Sequence, residues 1–221
     1  SSTRCRRTAP TPPPRPPTLE VRPPRPRKVD GPPRAGRVAL VGQPNVGKST
    51  LLNQLLGEAI AITSHHPQTT RDQLLGVLTV PGAQYVFVDT PGVHEARSKL
   101  GVIMNEHAFE AARGADVVLF IADPTRLTRG LGPADRRALE AVPETAKVIL
   151  VLNKVDKVRE KARLLPVLAE LSREGASPRP FLAFVPVSAR TGDGCEELLD
   201  EVRKHLPEGE PLHPEDELSD K

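Results

Sequence analysis

Eight consecutive residues near the start of the chain have the types and spacing that bind a phosphate chain. Residues 42–49 read Gly-Gln-Pro-Asn-Val-Gly-Lys-Ser and match the pattern GxxxxGK[ST]. Small residues at the turns let backbone N–H groups approach phosphates closely, and a helix that begins after the loop adds a favourable dipole. Lys48 would then bridge the β and γ phosphates, and Ser49 would ligate Mg²⁺. The pattern alone does not distinguish ATP from GTP.

Two further segments could complete a magnesium site and sense the terminal phosphate. Residues 89–92 read Asp-Thr-Pro-Gly after an apolar run, so Asp89 could hold Mg²⁺ through a water and the amide of Gly92 could contact the γ-phosphate. Residues 60–72 are polar and aperiodic, which predicts a loop from which a threonine hydroxyl closes over Mg²⁺. We favour Thr70 for this role, with Thr69 as the alternative.

A fourth segment selects the base. Residues 153–156 read Asn-Lys-Val-Asp, and the carboxylate of Asp156 can accept hydrogen bonds from both N1–H and N2–H₂ of guanine. Adenine offers no such pair of donors, so a carboxylate left unpaired makes the wrong base costly. Ser188-Ala189 follows a later apolar run and would supply a backbone N–H to guanine O6. Together these motifs predict a guanine-nucleotide site.

The elements that must position these motifs are alternating strands and helices. Apolar runs at 38–41, 117–122, 148–152 and 181–187 are apolar on both faces, which is typical of parallel strands covered by helices on both sides. Two more runs, 74–80 and 84–88, are joined by Pro81-Gly82, which predicts a hairpin and one antiparallel edge strand. The sequence therefore predicts an α/β fold of the P-loop NTPase type, a three-layer sandwich around a mostly parallel six-stranded sheet. The motifs then lie at carboxyl ends of strands, where open α/β sheets bind ligands.

Three apolar stripes with helical period predict the covering helices. Their members are Leu51, Leu52, Leu55 and Leu56, then Leu164, Leu165, Leu168 and Leu171, and finally Cys195, Leu198, Leu199, Val202 and Leu206.

The two ends of the chain differ in composition from its middle. Residues 1–36 contain 11 of the 25 prolines and are rich in arginine, so we expect a disordered basic extension there. It could contact RNA phosphates, although an extension without a dedicated role is the favoured interpretation. Residues 37–207 would form the domain, and residues 208–221 an acidic tail. The 2 cysteines and the absence of an apolar run near 18 residues indicate a reduced, cytoplasmic protein.

The motifs and the text between them resemble the bacterial Era family of GTPases. The resembling strings are GQPNVGKSTLLNQLLG, PQTTRD followed by GVLT, VFVDTPGVH, NKVD and PVSARTGDGCEELLDEV. The nucleotide motifs alone are shared with the Der family and the tRNA-modifying GTPase MnmE. The resemblance to Era therefore rests on the sequence between the motifs. The resemblance implies slow hydrolysis of GTP to GDP and phosphate with Mg²⁺, and a switch that acts in small ribosomal subunit assembly and 16S rRNA processing. It also implies a monomer and a peripheral membrane contact, although the chain offers no amphipathic anchor for the latter.

Two site residues take their expected roles from the resemblance. Asn45 occupies the position that in relatives helps to bind K⁺ where an arginine finger would lie, which implies potassium-stimulated hydrolysis. Val93 follows the DTPG motif where other GTPases carry a water-orienting glutamine. A valine side chain cannot orient water by hydrogen bonding, so slow turnover is expected.

The complete set of predicted site residues combines the motifs with the resemblance. The predicted nucleotide-binding residues are Gly42, Pro44, Asn45, Val46, Gly47, Lys48, Ser49, Thr50, Asp89, Gly92, Asn153, Lys154, Asp156, Ser188, Ala189 and Arg190. The predicted catalytic residues are Lys48, Asn45, Thr70 and Gly92, and the predicted metal ligands are Ser49, Thr70 and Asp89 for Mg²⁺ and Asn45 for K⁺.

Era proteins continue into a KH domain that grips the 3′ end of small-subunit rRNA through a GXXG loop. No two glycines of these 221 residues stand three positions apart, so we expect no KH domain, and no RNA grip of that kind, within them.

Two other interpretations of function stay open. The chain could be a nucleotide-dependent binding module with incidental turnover, or the basic extension could be its active part.

Overall fold

Six strands form one sheet in the computed structural model, which describes residues 31–57, 74–88, 114–127, 130–173 and 175–213. In chain order the strands are β1 Arg34–Gly42, β2 Leu74–Val80, β3 Ala83–Val88, β4 Val117–Ala122, β5 Lys147–Asn153 and β6 Ala183–Val187. Their order across the sheet is β2-β3-β1-β4-β5-β6, with β2 antiparallel to β3 and every other neighbouring pair parallel. The predicted fold class, including its antiparallel edge strand, is confirmed.

Four helices pack against the sheet within the described residues. They are α1 Lys48–Leu56, α2 Pro133–Glu140, α3 Leu164–Leu171 and α4 Cys195–His205. Single 3₁₀ turns cover Pro124–Arg126, Val155–Lys157 and Lys161–Arg163. None of the helices described is long and apolar enough to cross a membrane.

The core has two layers because side chains of a strand alternate between the two faces of a sheet. Val38 and Leu40 of β1 belong to a buried cluster with α1 and α4. Ala39 and Val41, the intervening residues, belong to a second cluster with α2 and α3. All six residues of β4 are buried, as expected for a central strand with helices on both faces.

One predicted helical stripe differs from the structure. Leu164 and Leu171 are buried as expected, but Leu165 is 65% exposed and Val167 is buried in its place. Positions i, i+3 and i+7 share one face of a helix, whereas i+1 lies about 100° away, so Leu165 points away from the sheet. The apolar residue at position 165 thus misled the sequence prediction.

The described fold also extends past both predicted domain boundaries. β1 begins at Arg34, three residues before the predicted start at residue 37, because Ala35 and Gly36 pair with Gln84 and Tyr85 of β3. At the other end, residues 207–213 cross the amino ends of β1 and β3 and bond to both. We call residues 207–213 the exit strap. The predicted disorder of residues 1–30 and the predicted tail beyond residue 213 lie outside the described residues.

Candidate nucleotide-binding site

Loops that follow β1, β4, β5 and β6 meet at one edge of the sheet. These strands are parallel in the pairs β1–β4, β4–β5 and β5–β6, so their carboxyl ends point the same way. The loop after β1 carries residues 43–47, and the loop after β5 begins at Lys154. In open α/β sheets, ligands bind outside the carboxyl ends of the strands.

The loop between β1 and α1 depends on two glycines. A side chain at Gly42 would bring its Cβ to 2.3 Å from the carbonyl oxygen of Ile121, and one at Gly47 would lie 2.3 Å from Asn153 Nδ2. Both have positive φ, 153° and 100°, which side chains rarely adopt. The loop can therefore pass close to the neighbouring strands only with glycine at these positions.

Lys48 stands at the start of α1 with its ammonium folded over this loop. Its Nζ donates to the carbonyl oxygens of Gly42 at 2.6 Å and Gln43 at 2.8 Å. Burial lowers the pKa of Lys48 to about 8, since the charged form loses hydration. Ser49 and Thr50 follow on the exposed first turn of α1. The helix N-terminus and the ammonium together favour an anion at this point.

Asn153 connects three of the loops. Its Nδ2 donates to the carbonyl oxygen of Val46 at 2.8 Å, and its Oδ1 accepts from Lys154 N at 2.8 Å and Ala189 N at 2.9 Å. The residue is 1% exposed, so these bonds are not shared with water. Asn153, predicted as a nucleotide-binding residue, thus bonds to protein groups with both ends of its side chain.

The backbone donors predicted for guanine O6 are used within the protein in this structure. Ala189 N donates to Asn153 Oδ1, and Ser188 N donates to the carbonyl oxygen of Asp193 at 2.8 Å. The sequence analysis placed Ser188-Ala189 at a strand end beside the other motifs but predicted no hydrogen bonds between the loops. The hydrogen bonds of the loop after β6 to the loop after β5 depend on the tertiary fold, which the motif does not reveal.

Asp156 is oriented by two neighbours from the loop after β6. Ser188 Oγ donates to Asp156 Oδ1 at 2.8 Å, and Arg190 approaches Asp156 Oδ2 with Nε at 3.1 Å and Nη2 at 3.0 Å. Burial by itself would raise the pKa of Asp156, but the hydrogen bonds from Ser188 and Arg190 outweigh it and hold that pKa below its usual value. The carboxylate is thus ionised and fixed, as a hydrogen-bond acceptor for a base must be.

Asp123 belongs to this cluster although the sequence analysis did not select it. It follows β4 directly and is 6% exposed. Its Oδ2 accepts from Lys154 Nζ at 2.8 Å, and its Oδ1 accepts from Thr125 N at 3.0 Å and Thr125 Oγ1 at 2.6 Å. Burial would raise the pKa of Asp123, but the hydrogen bonds from Lys154 and Thr125 keep it below the usual value. The sequence did contain one signal for Asp123. It is a polar residue directly after an apolar run, which is how the other motifs also begin.

Several predicted residues cannot be placed. Thr70, Asp89 and Gly92 lie outside the described residues, as does Thr69. Among the residues described, no group of three or more His, Cys, Asp or Glu side chains could hold a metal ion. The structure therefore brings together the predicted residues of the loops after β1, β5 and β6. Of the three predicted Mg²⁺ ligands, Ser49 is the one that lies within the described residues.

A mostly parallel sheet with a GxxxxGK[ST] loop between β1 and α1 defines the P-loop class of nucleotide-binding proteins. Comparison with known proteins narrows the class. A family model described as "50S ribosome-binding GTPase" matches residues 37–154. "GTPase Era" of Geobacter metallireducens is 46% identical over 192 residues, which are 86% of this chain and 62% of that protein. "GTPase Era" of Pseudomonas putida is 44% identical and is covered to 61%.

Solved structures give the same result. A variant of Aquifex aeolicus Era bound to GDP·AlF₄⁻ superposes with a TM-score of 0.67 at 41% identity, covering 85% of this chain and 62% of that one. Era in complex with MgGDPNP and nucleotides 1506–1542 of 16S ribosomal RNA gives a TM-score of 0.66 at 42% identity, covering 83% and 61%. The chain belongs to this family of GTPases and, within it, to the Era group. It spans 62% or less of the length of the relatives described here.

Proposed function

We propose that this chain binds GTP and GDP with Mg²⁺ and hydrolyses GTP slowly, as a switch of the Era type. The observation that carries the proposal is the junction of the loops after β1, β5 and β6 through Asn153, 1% exposed, which bonds to Val46, Lys154 and Ala189. This junction fixes the distance between the phosphate-binding loop and the carboxylate of Asp156. A ligand that binds both would carry phosphates at one end and, at the other, a base with a pair of N–H donors such as guanine.

The roles of individual residues follow from the chemistry of each group. Lys48 and the amides of residues 42–49 bind phosphate oxygens, and Asp156 accepts hydrogen bonds from the base. Mg²⁺ prefers oxygen ligands, which Ser49 offers on the exposed first turn of α1 and which Thr70 and Asp89 would add. When bound, the ion would neutralise phosphate charge. The protein groups orient the nucleotide and keep its base in one position.

Asn45 is the proposed ligand for K⁺. Its backbone has a φ of 64° and the residue is exposed on the phosphate-binding loop, so its side chain is accessible from solvent. A cation there would supply positive charge near the phosphates, as arginine fingers do in other GTPases. This role rests on the resemblance and on the accessibility of the residue.

The test is release of inorganic phosphate from GTP in KCl and in NaCl at equal ionic strength. We expect slow turnover that is faster in KCl, because the resemblance gives Asn45 a K⁺ ion whose charge would lie near the phosphates. Asn45→Ala should lose the difference between the salts while GDP binding is retained. The matched control is Gln43→Ala, which alters the same loop and should keep the potassium response. If neither salt gives turnover above background, the chain is not an enzyme.

A nucleotide-dependent binding module is the second candidate. It is favoured by Val93, which stands where a water-orienting glutamine would be and offers no hydrogen bond. In that case GDP and GTP would bind in the presence of Mg²⁺ but phosphate release would stay at background. The same assay therefore separates the two candidates.

We further propose small-subunit rRNA as the partner of the whole protein, and with it a cytoplasmic location. The support is the Era structure that contains nucleotides 1506–1542 of 16S ribosomal RNA, of which this chain covers 61%. We assign the nucleotide-binding domain to the predicted residues 37–207 extended to Arg34 at its start and through the exit strap at its end. A monomeric state and a peripheral membrane contact stay predictions from the resemblance.

A further inference from the structure

Two residues of the proposed site have an unusual backbone conformation and are joined to each other. Within the described residues, Asn45 and Lys154 are the non-glycine residues with positive φ, at 64° and 70°. Lys154 Nζ donates to the carbonyl oxygen of Asn45 at 2.5 Å. Left-handed backbone costs free energy in a residue other than glycine and persists only where the surroundings hold it. The ammonium of Lys154 therefore connects the base-reading loop to the phosphate-binding loop.

The anion that holds this ammonium is Asp123. The Lys154 side chain is 21% exposed and that of Asp123 is 5% exposed, with 2.8 Å between Nζ and Oδ2. Arg126, the second cation near Asp123 among the residues described, lies at 3.8 Å and is 58% exposed, so water screens it more strongly. Asp123 itself is fixed by both Thr125 bonds and by its place at the end of β4. Its carboxylate thus has one orientation, and that orientation determines where Lys154 Nζ lies.

We propose that Asp123 is a positioning residue of the nucleotide site, which acts through Lys154 to hold the phosphate-binding loop and the base-reading loop in their binding geometry. This inference rests on the proposed function. Asp123 belongs to none of the sequence motifs and is expected to make no contact with the nucleotide. Its contribution would be preorganisation. The free energy that holds the left-handed backbone of Asn45 and Lys154 is supplied within the free protein, before the nucleotide binds.

The experiment is a double-mutant cycle on GDP affinity, measured by calorimetry with Mg²⁺. Asp123→Asn keeps the shape and the Thr125 bonds but removes the charge, so we expect GDP to bind about tenfold more weakly or worse. Lys154→Met should weaken binding as well. If Asp123 acts through Lys154, adding Asp123→Asn to Lys154→Met should change the affinity by no more than about twofold. Fully additive losses would overturn the proposal, since a merely structural aspartate would act independently of Lys154.

Two controls keep the result interpretable. Arg126→Met removes the more distant and more exposed cation near the same carboxylate but leaves Lys154 and both Thr125 bonds in place, and it should bind GDP within about twofold of the unmodified protein. An equal loss in Arg126→Met and Asp123→Asn would contradict the proposal. Should Asp123→Asn fail to fold, Asp123→Glu keeps the charge but displaces it, and the folded variant should bind GDP more weakly than the unmodified protein. Unchanged affinity in a folded Asp123 variant overturns the inference alone, whereas absence of GDP binding by the unmodified chain overturns the proposed function.

Discussion

At the scale of single residues, the protonation state of Lys48 links the structure of the site to its affinity for nucleotide. Burial lowers the pKa of Lys48 to about 8, so near that pH only part of the free protein carries the ammonium. Phosphate groups stabilise the charged form and raise the pKa when a nucleotide binds. Binding must then take up a proton, and affinity must fall as the pH rises above about 8.

Calorimetry of GDP binding in two buffers of different ionisation enthalpy measures this proton directly. At pH 8 the free lysine would be half protonated, so we expect uptake of about 0.5 proton per site. Lys48→Arg is the matched control, because a guanidinium does not titrate in this range and uptake should disappear. Equal heats in both buffers for the unmodified protein would show that Lys48 is already charged in the free site.

The motifs allowed most of the candidate residues of the described loops to be predicted, and the exceptions have a common cause. Asp123 was missed because a lone aspartate after a strand has no spacing pattern, and its importance appears only when Lys154 reaches it. The sequence analysis gave Ser188-Ala189 a role towards guanine O6 but did not predict the hydrogen bond from the Ala189 N–H to Asn153. Both depend on contacts between loops that are remote in the chain, which no local pattern encodes.

At the scale of elements, the exit strap stabilises the amino ends of β1 and β3. Gln84 of β3 is 1% exposed, donates from Nε2 to the carbonyl oxygen of His213 at 2.7 Å and accepts from His213 N at 2.9 Å. Arg34 pairs with Glu208 at 2.8 Å, but the Glu208 side chain is 59% exposed. Buried hydrogen bonds to an amide should therefore hold the strap more firmly than this ion pair does.

We expect Gln84→Ala to lower the free energy of unfolding by about 1–3 kcal/mol, since it leaves both backbone groups of His213 without that partner. Glu208→Ala should cost less than about 1 kcal/mol, as exposed ion pairs do. Urea denaturation followed by circular dichroism gives both values. His213→Pro removes one of the two bonds and should have an intermediate effect. If Glu208→Ala were the more harmful change, the ion pair and not Gln84 would hold the strap.

Element boundaries were less predictable than element types. The hairpin at Pro81-Gly82 and the six strands were expected, because turn dipeptides and apolar runs are local signals. β1 nevertheless begins at Arg34, since its first residues gain hydrogen bonds from β3 and from the exit strap that sequence periodicity does not report. Leu165 was assigned to a buried stripe for a similar reason: its hydrophobicity was visible, and the direction of its helix face was not.

At the scale of the whole molecule, the parallel sheet brings remote segments together. Strand order places β1 beside β4, and β5 is the next strand along, so the loop that begins at residue 43 lies on the same side of the sheet as the loops after β4 and β5. Asn153, Lys154 and Asp123 then join these loops by hydrogen bonds. This topology was predictable because each motif follows a strand, and strands alternating with helices form parallel sheets whose carboxyl ends coincide.

The most direct test of the central claim, that Asp156 reads a guanine bound at this edge of the sheet, is calorimetric titration of GDP and xanthosine diphosphate with Mg²⁺. The unmodified protein should prefer GDP by a factor on the order of 10⁴, because xanthine presents a carbonyl where guanine presents a donor. Asp156→Asn should reverse the preference, since an amide can donate to that carbonyl. An Asp156→Asn protein that still prefers GDP would contradict the account, and so would an unmodified protein that binds neither nucleotide.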